Sequence, residues 1–80
     1  MNVKDAIADR IRSLCAEREI APNELGNLAG LNPSTVYSIL GNKSKSPEIA
    51  TIKKICDAFD ITLGEFFSTE EFDQLEQEIK

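Results

Sequence analysis

Two short helix-sized segments meeting at a glycine turn constrain this chain more than any other feature. Residues 22–29 read Pro-Asn-Glu-Leu-Gly-Asn-Leu-Ala, the joint is Gly30-Leu31-Asn32, and residues 33–40 read Pro-Ser-Thr-Val-Tyr-Ser-Ile-Leu. Proline lacks a backbone N–H and is tolerated at the first position of a helix, where that N–H has no partner; Pro22 and Pro33 both stand at such starts. Asn32 is a good N-cap for the second segment, and Gly30 suits the left-handed residue that closes the first. Leu25, Leu28 and Ala29 are expected to face inward from the first segment. Val36, Ile39 and Leu40 repeat at i, i+3, i+4 in the second, which Gly41-Asn42 should end, both tolerating left-handed dihedrals. Gly26 lies inside the first helix at a cost of about 0.5–1 kcal/mol relative to alanine. The functional reading of that cost is close passage of another backbone; the plain one is drift at an exposed site.

The flanking segments are also helical in period. Ile7, Ile11, Leu14 and Cys15 mark one face of a helix over residues 2–18, which ends near Glu19 because Ile20-Ala21-Pro22 breaks the pattern. After the polar loop Lys43-Ser44-Lys45-Ser46-Pro47, a fourth helix from about Glu48 to Phe59 turns Ile49, Ile52, Ile55, Cys56 and Phe59 inward. Thr62 and Glu65 form a capping box for a short fifth helix carrying Leu63, Phe66 and Phe67. Ser68 and Glu71 form a second box, opening an amphipathic segment with Phe72, Leu75 and Ile79 on one side. No repeat and no strand alternation appears. The expected fold is all-α, five helices with an additional C-terminal helical segment, divided into a domain over 1–68 and an acidic amphipathic extension over 69–80. Eighty residues allow one domain.

The net charge of −5 argues at first against a polyanionic partner. Its distribution argues otherwise. Residues 1–30 are nearly balanced; Lys43, Lys45, Lys53 and Lys54 against Glu48 leave residues 31–54 at +3; eight acids against Lys80 leave residues 55–80 at −7. Salt screens charge beyond about 8–10 Å, so the basic middle governs contact with phosphates more than the total does.

Several classes fall away. With no histidine and two cysteines outside any CxxC spacing, a metal centre has no ligand set. Cys15 and Cys56 read as small buried hydrophobes, with a disulfide as the lesser alternative. No nucleophile elbow or phosphate-binding glycine loop stands out, so no enzyme and no cofactor is expected. No stretch reaches the ~18 apolar residues of a membrane span, and Met1–Asp5 has no apolar signal region. A cytoplasmic protein without a membrane partner is expected.

The pair of helices around Gly30-Leu31-Asn32 has the shape of a helix-turn-helix, whose second helix enters the major groove with its N-terminal side chains at base edges. The stretch from about Ile7 to Phe67 resembles the phage-repressor/Cro-type, or XRE, helix-turn-helix family. Leu25, Gly26, Gly30 and Asn32 stand where that family has Leu, Ala, Gly and a polar cap. Ser34-Thr35-Val36 matches its Ser-Thr-Ile step, Pro47 the proline after the basic loop, and Phe59-Asp60-Ile61-Thr62-Leu63-Gly64-Glu65-Phe66 its closing motif. The resemblance implies a five-helix lambda-repressor-like bundle, dimeric DNA binding, and repression or activation. The departures matter. Pro22 replaces the Gln that often opens the second helix as a phosphate clamp, leaving that task to Asn23 or to nothing. Pro33 stands where a basic residue or Gln is frequent early in the recognition helix, and Leu40 replaces a frequent late Glu.

The candidate DNA-binding set is therefore Asn23, Asn32, Ser34, Thr35, Tyr37, Ser38, Asn42, Lys43, Ser44 and Lys45. Arginine, the best guanine reader, is missing from residues 33–40, so base readout falls to Ser34, Thr35, Tyr37 and Ser38 with thymine-methyl contacts. Tyr37 has the plainer reading of a surface tyrosine, and Lys43 and Lys45 that of solvated loop charges; Lys53 and Lys54 read as an ordinary exposed face. Phe72, Leu75 and Ile79 are candidates for homodimerisation, or for packing on the chain's own core. The function expected is a sequence-specific DNA-binding regulator, a repressor, acting on double-stranded DNA. The alternative is a helix-turn-helix used for contact with a protein partner, as in an antitoxin.

Overall fold

The computed structural model describes residues 1–41 and 46–79. Among them the secondary structure is entirely helical: α1 Val3–Arg18, α2 Pro22–Ala29, α3 Pro33–Leu40, α4 Ile49–Phe59, α5 Leu63–Phe66 and α6 Glu70–Asp73. No helix among the described residues is long and apolar enough to cross a membrane.

Local chemistry fixes the helix ends. Asn2 caps α1 by accepting from the Asp5 N–H at 2.8 Å. Asn32 caps α3 in the same way, accepting from the Ser34 N–H at 3.0 Å, with Pro33 at the first position. Thr62 and Glu65 form the expected reciprocal box: the Glu65 N–H donates to Thr62 Oγ1 at 3.0 Å and the Thr62 N–H to Glu65 Oε1 at 2.9 Å. At α2 only half of such a box exists, because Ala21 has no side-chain acceptor; its N–H donates to Glu24 Oε1 at 3.3 Å.

Three helices end alike. Glu19 (φ 55°), Gly30 (φ 69°) and Asp60 (φ 58°) are left-handed, and the next residue, Ile20, Leu31 or Ile61, donates its N–H back to the carbonyl of Cys15, Gly26 or Cys56 at 2.8–3.0 Å. That is the Schellman closure, and each following residue is a half-buried hydrophobe leaning on the core. Only Gly30 adopts this conformation without strain.

The core is one cluster. Ile7, Ile11, Leu14 and Cys15 come from α1, Leu25 from α2, Val36 and Ile39 from α3, Ile52, Ile55, Cys56 and Phe59 from α4, and Phe66 from α5. Both cysteines are buried free thiols, and burial pushes both above their ordinary value. Arg10 ties α1 to the end of α5: its Nε donates to the Phe66 carbonyl at 2.8 Å and its Nη2 to the Glu65 carbonyl at 3.0 Å. Its guanidinium lies 5.9 Å from the Phe66 ring centre.

The structure corrects several expectations. Leu28 is 61% exposed. Leu25 and Gly26 are buried and Ala29 half-buried, so the buried face centres near Ala29, and Leu28 lies about 100° around the helix from it. Ile49 is also 61% exposed, because it opens the first turn of α4, beyond the reach of the core. Gly41 is extended (φ −80°, ψ 160°) rather than left-handed. Ser68 does not cap the last helix; its hydroxyl donates to the Glu65 carbonyl at 2.8 Å, and Thr69 takes the N-cap position. The last helix stops at Asp73. The chain beyond it carries Glu76 and Glu78, acids that oppose the macrodipole at a helix C-terminus. Phe72 packs inward, its ring centre 4.9 Å from Phe67 and 6.1 Å from Phe66. Leu75 is half-buried and Ile79 is 89% exposed.

Two substitutions test these joints. Glu19→Gly removes left-handed strain and should stabilise the chain by about 0.5–1 kcal/mol after the entropy of the unfolded glycine is counted; an unchanged urea midpoint would mean that the joint is unstrained. Thr62→Ala should cost about 1 kcal/mol at neutral pH. The Thr62 backbone N–H, and then its side chain, hold the Glu65 carboxyl below its ordinary value of about 4.5. A depressed folded-state value gives stability above the unfolded value that is lost as pH falls through the folded one. The gap between wild type and Thr62→Ala should therefore narrow in acid, which urea unfolding at a series of pH values measures.

Candidate nucleic-acid interface

The geometry of α3 begins in α2. A Cβ built on Gly26 would lie 3.2 Å from the Leu31 carbonyl oxygen and 3.2 Å from Pro33 Cα, both backbone atoms of the turn. The glycine within α2 is thus the contact point at which the start of α3 crosses it. Gly30, left-handed, makes the turn, and the Leu31 N–H closes it on the Gly26 carbonyl at 2.8 Å. Val36 and Ile39 then lock the back of α3 into the core.

The opposite side of α3 faces solvent. Ser34, Tyr37 and Ser38 are exposed and share one face at i, i+3, i+4 spacing; Tyr37 is 51% exposed. Thr35 is half-buried at the flank of that row. The cap draws two candidates together, since Asn32 Oδ1 accepts from both the N–H and the hydroxyl of Ser34, each at 3.0 Å. Asn23 is exposed in the first turn of α2, beside Glu24. Asn42, Lys43, Ser44 and Lys45 lie outside the described residues.

Charge is sparse here. α3 carries no ionisable side chain other than the Tyr37 phenol. On α4, Lys53 pairs with Asp57 one turn on, which leaves Lys54 as the exposed cation of that helix without an ion pair to a described residue. Among the described residues, two cations that reach the end of α3 come from α1, and the sequence did not single them out. Lys4 Nζ donates to the Gly41 carbonyl and Arg12 Nη2 to the Leu40 carbonyl. They bridge 37 and 28 residues of sequence, and no local pattern signals such contacts. The carbonyls at the end of α3, which the extended Gly41 leaves without a left-handed closure, find their partners in this way.

Residues 10–71 match the family described as the Cro/C1-type HTH DNA-binding domain. The solved structure titled "Crystal structure of the prophage Lp1 protein 11" superposes with a TM-score of 0.83 at 29% identity, over 94% of this chain and 100% of that one. A comparison with curated proteins finds no match. A turn built on a glycine contact, a locked helix with a polar outer row and a family match over most of the chain lead to one conclusion: this protein belongs to the Cro/C1-type helix-turn-helix family of DNA-binding transcriptional regulators.

Proposed function

We propose that the chain is a sequence-specific repressor that inserts α3 into the major groove of double-stranded DNA. The observation that carries this reading is the exposed row Ser34, Tyr37 and Ser38 on a helix whose back is buried through Val36 and Ile39. Base readout needs polar and aromatic groups projected from a helix that cannot roll, and this row meets that need without a charged side chain. Thr35 adds a methyl group suited to thymine. Asn23 and Asn32, at the starts of α2 and α3, and Asn42, Lys43, Ser44 and Lys45, which follow α3, are the proposed backbone contacts. Since α3 brings no cation, Lys43 and Lys45 have to supply the electrostatic part of binding. Repression is the simpler outcome, because occupancy of a promoter suffices for it.

One observation favours the protein-partner reading. The neutral α3 stands beside an α2 whose first turn carries Glu24, a carboxylate that opposes phosphate approach.

Selection of bound duplexes from a random pool at two salt concentrations separates the two readings. Enrichment of a defined sequence is expected; no enrichment at either salt sinks the groove reading. Tyr37→Ala should relax preference at one or two positions, by about 1–3 kcal/mol, without unfolding the chain. Replacing Lys43 and Lys45 together by alanine should weaken binding to all sequences alike and reduce the salt slope by roughly one per lysine.

The tail is the proposed dimer contact, because paired half-sites one turn of DNA apart need a second copy. Phe72 is engaged within the chain, so Leu75 and Ile79 are the residues available. Deleting residues 74–80 keeps α6 and should lower the mass in solution from dimer to monomer. An unchanged mass would place the contact elsewhere.

A further inference from the structure

We infer that Lys4 and Arg12 are positioning residues for base readout: from α1 they hold the C-terminal end of α3, and with it the angle at which the recognition row is presented. The inference rests on the reading of α3 as the groove helix.

The two ends of α3 are secured differently. Its N-terminal end is held locally, by the Asn32 cap and by backbone contact at Gly26. At its C-terminal end, among the described residues, the local bonds are those of the Gly41 N–H to the Tyr37 and Ser38 carbonyls, and these leave the last two carbonyls to other donors. Gly41 is extended, no basic residue occupies the last turn, and Leu40 offers no polar side chain. The carbonyls of Leu40 and Gly41 take their donors from α1 instead, Arg12 on the first and Lys4 on the second. Cations at a helix C-terminus also oppose the negative end of its dipole. Arg12 is itself oriented, with Nη1 on Asp9 Oδ1 at 3.0 Å and Nη2 left for the Leu40 carbonyl.

A phosphate role for these cations is disfavoured by their setting. The cleft between α1 and the end of α3 is lined by Lys4, Asp5, Asp9, Arg12 and Leu40, so two carboxylates balance the two cations. A recognition constellation has to be held to within about 0.5 Å and 10–20°. α3 is only eight residues long, and with its far end released it can tilt about the Gly26 contact. Such a tilt degrades base contacts while leaving the basic loop free to meet phosphates.

The test pairs an exchange measurement on the free protein with DNA binding. In the double variant Lys4→Met, Arg12→Met, the Gly41 amide, which donates to the Tyr37 carbonyl at 2.9 Å, should exchange roughly five- to tenfold faster. Preference for a duplex selected by the wild-type chain over an arbitrary duplex of equal length should fall by a similar factor. Affinity for the arbitrary duplex and the salt slope should not change, and Arg12→Lys should recover most of the preference. The single variants, each keeping one donor, carry the same test if the double variant unfolds. Equal loss on both duplexes with a slope reduced by one or two would make these residues phosphate contacts and overturn the inference. Unchanged exchange or unchanged preference would overturn it too. If the wild-type chain selects no sequence, the groove reading and the specificity role fall together, while faster Gly41 exchange would still establish the clamp on α3.

Discussion

The backbone of α3 touches the backbone of α2 at Gly26, and the placement of the candidate interface follows from that contact. With 3.2 Å from a would-be Cβ to the Leu31 oxygen and to Pro33 Cα, any side chain at residue 26 has to push the turn outward. The turn carries Asn32, which caps α3, and Pro33, which starts it. Displacing the turn therefore displaces the row Ser34, Tyr37 and Ser38. The glycine costs about 1 kcal/mol in helix propensity, and in return the turn need not give the few tenths of an ångström that a Cβ at this position would demand.

α1 serves as the beam on which the other elements are hung. Its apolar face fills the core through Ile7, Ile11, Leu14 and Cys15. Three of its cations reach main-chain carbonyls: Lys4 and Arg12 at the end of α3, Arg10 at the end of α5. Each joins a helix C-terminus, where carbonyls lack intrahelical donors, to a cation that complements the dipole. In a chain of 80 residues, where core area is limited, such links add orientation that burial alone does not supply.

The acidic end of the chain adopts less regular structure than its amphipathic spacing suggests. Phe66, Phe67 and Phe72 form a small aromatic cluster, with ring centres 4.9–6.1 Å apart, and this cluster accounts for the single turn of α6. Beyond Asp73 no described residue is helical, and residues 70–79 contain no cation to pair with their acids at i, i+4 spacing. Periodicity marks where a helix would be amphipathic; it does not provide the stabilisation that a helix of one or two turns needs.

The sequence by itself determined the elements and most of their ends. Proline at residues 22 and 33, asparagine at 2 and 32, the Thr62–Glu65 box and Gly30 act within a few residues, through bonds that any chain with those neighbours can make. It also offered close approach at Gly26 as one of two readings, which the packed turn decides, and located the outer row of α3, because a buried stripe at Val36 and Ile39 dictates which residues lie opposite. Tertiary structure alone decided the rest. Leu28, about 100° around α2 from the centre of its buried face, and Ile49, in the first turn of α4, remain exposed, because the packing of the partner helices decides which part of an apolar stripe is covered. Glu19 and Asp60 turn left-handed without being glycine, held there by Ile20 and Ile61 packing on the core. The clamp of Lys4 and Arg12 on α3 joins groups 37 and 28 residues apart, and only the packed fold brings them together.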